Sequence, residues 1–196
     1  MSAPSVPQTR RSAGRPGTED AVRSARALLD RGERVDVQAV ARDLGVSRAT
    51  VHRWFGTRDD LMRAVFAGLA REFIVQARAQ VTGDGDERLF SFLRQIADIS
   101  AAYAPMRAAA AREPGITLRV ILDPDGPVQA QLVAAVTDLL APSRSPATLA
   151  GLRTDIDTLV SASVALHWAT IAGGREPDSR RYEDIARALF ARQAGA

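Results

Sequence analysis

The stretch Val35–Leu61, VDVQAVARDLGVSRATVHRWFGTRDDL, restricts the possible folds of this chain more than any other. Val37, Val40, Ala41 and Leu44 recur at i, i+3, i+4 and i+7, the spacing of one buried helix face. Gly45 stands where that helix must stop, because glycine enters the left-handed conformation without a Cβ clash. Val46 anchors the turn, and Ser47 is placed to cap a second helix by accepting from its free N–H groups. Val51 and Phe55, four apart, face inward again. The reading is two short helices joined by a tight turn, with a third beginning at once.

Arg48, Ala49, Thr50, His52 and Arg53 remain outward, with no carboxylate among them. Arginine can read guanine edges with two hydrogen bonds, and small apolar groups meet the thymine methyl. A helix-turn-helix lays such a helix in the major groove with its first residues against the bases. A soluble hairpin with a polar surface would show the same periodicity, so this segment alone leaves both readings open.

Ala41, Leu44-Gly45-Val46-Ser47, Thr50-Val51 and Phe55-Gly56-Thr57-Arg58-Asp59-Asp60-Leu61 together resemble the DNA-binding domain of TetR-family transcriptional repressors. The resemblance implies an all-α protein with an N-terminal three-helix DNA-binding domain and a C-terminal helical bundle that binds ligand and dimerises. It also implies DNA contacts from Ser47, Arg48, Ala49, Thr50, His52, Arg53 and Trp54. Arg58, where relatives commonly carry a phosphate-binding lysine, is expected to hold a phosphate at a helix N-terminus. Relatives usually have tyrosine in place of His52 and often histidine in place of Trp54.

Charge supports the same division of the chain. All 26 basic residues are arginine, and the net charge is only +3. Residues 1–65 hold 12 arginines against 8 carboxylates, whereas residues 66–196 hold 14 against 15. The positive excess therefore lies on the part expected to meet phosphates. Residues 1–16 are rich in Pro, Ser and Ala and lack helical periodicity, which predicts a disordered arm. Its Arg10, Arg11 and Arg15 either reach an adjacent minor groove or stay solvated. The domains expected are thus the arm 1–16, a helix-turn-helix domain 17–62 and a ligand-binding and dimerisation domain 63–196.

A first helix is expected from Thr18, as its cap, to Arg31, burying Ala21, Val22, Ala25, Leu28 and Leu29. Arg23 and Arg26 on its outer side read as solvated. Thr57 should cap a long helix carrying Leu61, Val65, Phe66, Leu69 and Phe73, which links the two domains. Further helices are expected over 86–104, 106–112, 128–141, 147–172 and 179–193, with Pro105 marking a break and a small helical piece near Val120.

The last two helices carry the stripes Leu152, Ile156, Val160, Ser163 and Tyr182, Ile185, Leu189, which predict a dimer through a four-helix bundle. A monomer could spend both stripes on its own core. Paired half-sites favour the dimer.

No HExxH, GxSxG or phosphate-loop pattern occurs, cysteine is absent, and the only histidines are His52 and His167. Neither an enzyme nor a metal or cofactor site is expected. The second domain should hold a largely apolar pocket, with Phe92, Ile96, Tyr103, Met106, Leu122, His167 and Trp168 as candidate lining. The turns Arg112-Glu113-Pro114-Gly115, Leu122-Asp123-Pro124 and Ala172–Asp178 resemble, more loosely, QsdR-type members of the family, which implies a lactone or other apolar metabolite as effector. With no signal peptide and no run of 18 apolar residues, a cytoplasmic protein without membrane contact is expected. Its partners would be an operator in double-stranded DNA, a small effector and a second copy of itself. The alternative is a ligand-binding or scaffolding dimer that does not read DNA sequence.

Overall fold

The computed structural model describes residues 15–140 and 155–190, which form ten helices and no strand. In chain order they are α1 (Thr18–Asp30), α2 (Val37–Asp43), α3 (Arg48–Phe55), α4 (Arg58–Ala79), α5 (Asp86–Ala102), α6 (Ala104–Arg112), α7 (Pro114–Ile121), α8 (Pro127–Leu140), α9 (Ile156–Ala172) and α10 (Ser179–Phe190). The expected helix start at 147, the stripe residue Leu152, the helix end at 193, and Arg10 and Arg11 of the arm lie outside the described residues.

Local chemistry sets the helix ends. α1 is capped one residue earlier than expected: Gly17, not Thr18, is the cap, and its N–H donates to Oδ2 of Asp20 at 2.9 Å. Asp36 caps α2 by accepting from the Gln38 N–H. α2 then ends in a reversal at Gly45, whose φ of 64° is open to glycine at no cost. There the Val46 N–H donates back to the Ala41 carbonyl at 3.0 Å, which closes the turn. Ser47 caps α3 through the Thr50 N–H, and Thr57 and Asp60 form a reciprocal capping box at the start of α4. The break expected at Pro105 falls at Tyr103, between α5 and α6, and Pro105 itself occupies the first turn of α6, where its missing N–H costs nothing.

α1, α2 and α3 pack on one another around Ala21, Ala25, Leu29, Val40 and Val51, all at most 2 % exposed. α4 is the axis of the molecule. It touches α1 and α3 of the head and α5, α7 and α8 of the bundle. Leu61, Met62, Val65, Phe66, Leu69, Phe73 and Ala77 are all buried along it, and each large side chain so buried contributes about 1.5–3 kcal/mol.

The seam between the first three helices and the bundle is polar. Arg26 on α1 is not solvated as expected but reaches Asp30, Glu72 and the Tyr103 hydroxyl. Arg112 donates to the Gly32 carbonyl at 2.6 Å, and Arg119 pairs with Asp59 at 3.0 Å.

Candidate nucleic-acid interface and effector cavity

On α3, Arg48, Ala49, His52 and Arg53 are exposed and lie together on the outer side, as the spacing suggested. Neither arginine has an ion-pair partner among the described residues. The same holds for Arg15 before α1 and Arg42 on α2. The head's carboxylates are occupied or set at helix starts: Asp43 accepts from the Ser24 hydroxyl, Asp20 from Arg23, and Asp36 from the α2 backbone. The result is a run of guanidinium groups on one helix pair with no ion-pair partner among the described residues, the composition that phosphate and base edges require. Arg42 was missed in the sequence, because an outer arginine on α2 carries no signal of its own.

Other expected contacts stand differently. The Ser47 and Thr50 hydroxyls bond each other at 2.9 Å while Ser47 caps the helix, so both serve the helix start. Trp54 is half-buried and packs on the core rather than projecting outward. Arg58 departs furthest from expectation. It donates to both carboxylate oxygens of Glu113, at 2.9 and 2.5 Å, and through Nε to the Val35 carbonyl at 2.5 Å. Arg34 adds a bond to Glu113 at 3.1 Å. The side chain expected on a phosphate is therefore spent on the bundle. The Arg58 hydrogen bonds hold the Glu113 carboxyl below the usual carboxylate range, against a smaller opposing effect of burial.

Among the described residues the bundle holds a largely apolar cavity of about 70 Å³, walled by residues of α4 to α10. Phe92, Ile96, Met106, His167 and Trp168 meet there as expected, joined by Phe66, Phe73 and Ser100, which the sequence did not single out. Tyr103 and Leu122 do not. The Tyr103 hydroxyl donates to Asp30 across the seam and accepts from Arg26, and burial together with the Asp30 bond pushes the phenol up to about 12. Leu122 lies in a shallow surface groove beside Arg63 and Asp123.

Val160, Ser163 and Tyr182, expected on a dimer surface, instead line the cavity, and Ile156 and Leu189 pack against the protomer's own core. Ile185 is half-buried on α10. α10 is held to α5 by Arg187, which pairs with Glu87 and Glu183 and lies over the Phe90 ring. The face of α9 left outward carries Ala162, Ala165, Leu166 and Ala169.

His167 is the polar centre of the cavity wall. Burial pulls its imidazole down to about 4, so it is neutral near pH 7. Its Nε2 is 2.9 Å from the Ser100 hydroxyl, and the Trp168 and Tyr182 rings meet it edge-on at 5.4 and 5.2 Å.

A helix-turn-helix head mounted through one long helix on a helical bundle with an internal cavity defines the class of helix-turn-helix transcriptional regulators. The chain belongs to the TetR family of transcriptional regulators: residues 84–191, more than half of it, match the tetracyclin repressor-like C-terminal domain. No curated protein matches the chain in sequence. Among solved structures it is similar to the TetR-family repressor QsdR of R. erythropolis, with a TM-score of 0.75 and 21% identity over 91% of this chain and 96% of that one. It is also similar to the TetR-family repressor AlkX of Dietzia sp. strain DQ12-45-1b, with a TM-score of 0.57 and 20% identity over 90% and 95%. These likenesses show the same fold over about nine-tenths of the chain. No helix among the described residues is long and apolar enough to cross a membrane.

Proposed function

We propose that the protein is a homodimeric repressor that binds a palindromic operator and is released by a small molecule entering the bundle cavity. The observation that carries this reading is the course of α4. α4 packs on α1 and α3, and Phe66, Ala70 and Phe73 on the same helix form part of the cavity wall. Filling the cavity displaces side chains on the same rigid rod that positions the recognition helix. Close-packed interiors pass such a displacement on rather than absorbing it.

The functional division follows the seam, with a head of residues 17–62 and a ligand-binding and dimerisation body of residues 63–196. Arg48, Ala49, His52 and Arg53 read base edges, and Arg15 and Arg42 meet phosphates. The outer face of α9, with Ala162, Ala165, Leu166 and Ala169, receives the same face of a second copy, since small side chains let helices approach closely. Two heads must engage together, so a small change in their separation removes most of the affinity.

The test is Arg48→Ala combined with Arg53→Ala. The expected result is loss of operator binding with the dimer intact. Unchanged DNA binding by the double variant would show that α3 does not read the operator.

A further inference from the structure

The cavity's chemistry narrows what it can hold, an inference that rests on reading it as the effector site. Among the described residues, none that lines it is an acid or an arginine. An ionised ligand would enter without a counter-charge, at a cost that apolar contacts do not recover. The polar atoms in the wall are few, and most are already used. The Ser163 hydroxyl donates to the Leu159 carbonyl at 2.8 Å. A phenol rotates to donate or accept, so Tyr182 does not discriminate between ligands.

The Ser100–His167 pair does discriminate. The Ser100 hydroxyl lies 3.1 Å from the Ala97 carbonyl and 2.9 Å from Nε2 of His167, yet it has a single proton. If that proton goes to Ala97, the imidazole carries its own on Nε2 and donates to the serine oxygen, so both contacts are hydrogen bonds. If it goes to His167, one contact is lost and a buried N–H on Nδ1 is left without an acceptor. The first arrangement makes two bonds where the second makes one. Nδ1 is then a bare lone pair on a residue only 5% exposed, and it has no partner among the described residues. A buried acceptor left in that state is costly, and a ligand that satisfies it gains the difference.

We propose that this cavity takes a small, uncharged, mostly apolar molecule that donates a hydrogen bond to Nδ1 of His167. The volume of about 70 Å³ limits the occupant to a small molecule. Alcohols and N–H amides meet the requirement. A simple lactone offers only acceptors and falls on the disfavoured side.

The experiment uses the full chain with Trp54→Phe, so that Trp168, in the cavity wall, is the sole tryptophan reporter. Hexan-1-ol, its isomer 1-methoxypentane and hexanoate are titrated at neutral pH. The expected result is that the alcohol binds about tenfold tighter than the ether, the worth of one hydrogen bond to a buried acceptor. Hexanoate is expected not to bind. A wall without a free acceptor gives the reverse order, because the ether is the less strongly hydrated isomer. Equal or tighter binding of the ether, or binding of hexanoate at the alcohol's level, overturns the donor requirement and leaves the effector cavity standing. Absence of binding by all three overturns both. In His167→Phe the preference for the alcohol is expected to vanish; its persistence would show that Nδ1 is not the acceptor.

Discussion

Replacing Glu113 by Gln probes the link between head and bundle with little change of shape. In the intact protein Glu113 accepts two bonds from Arg58 and one from Arg34, and the Arg58 and Glu113 side chains are 20% and 25% exposed. Glutamine keeps one acceptor oxygen but turns an NH₂ toward a guanidinium and leaves two arginines without their shared counter-charge. An exposed pair is worth about 0–1 kcal/mol, and breaking a buried one costs about 3–5 kcal/mol. At this partial burial the loss should be about 1–2 kcal/mol. For a chain of this length that corresponds to a fall in Tm of about 2–8 °C, measurable by circular dichroism.

The DNA readout runs the other way. Arg58, once released, stands at the N-terminus of α4 and can take up a phosphate. Each added phosphate contact steepens the salt dependence of binding by about 0.9 in log–log slope, so a dimer should gain about two. Arg58→Ala in the otherwise unchanged chain should lower Tm while leaving that slope as it was. An Arg58→Ala slope that flattens by one to two would refute the reasoning, because Arg58 would then already be on the DNA. So would a Glu113→Gln protein with unchanged Tm and slope.

Two more outcomes are expected of the bundle. The folded-state value of His167, about 4, lies below the 6.5 of an ordinary histidine, so the native protein binds fewer protons than the unfolded chain between those values. Stability should fall by about 3 kcal/mol as pH drops from about 6.5 to 4. Among the described residues, no charged one lines the cavity wall beside it. His167→Phe should lose that part of the acid sensitivity in denaturant titrations at the two ends of the range, and an equal loss in variant and parent would contradict the assignment. Leu166→Glu places a charge on the outer face of α9 and should yield a monomer by sedimentation, with operator affinity lost alongside; a persistent dimer would place the interface elsewhere.

The head was legible in the sequence because its determinants are local. Four apolar positions set the face of α2, Gly45 ends it, and Ser47 and Thr57 cap α3 and α4, all within one short stretch. Arg58 and Tyr103 were misread for the opposite reason. Their partners, Glu113 and Asp30, are 55 and 73 residues away along the chain, and no periodicity reports a contact across a seam. α9 failed in a third way. Its sequence is apolar or small nearly all the way round, so spacing alone cannot say which side faces inward. Val160 and Ser163 consequently turned out to line a cavity rather than a dimer surface. The cavity's polar pair was hidden similarly, since Ser100 and His167 meet only once α5 and α9 pack together.

The most direct test is selection from fragmented genomic DNA of the source organism by the purified protein at two salt concentrations, with sequencing of the retained fragments. A sequence-specific dimer should recover a short palindrome whose retention falls steeply as salt rises. Sequence-blind retention, or none, would contradict the account and turn attention to the cavity.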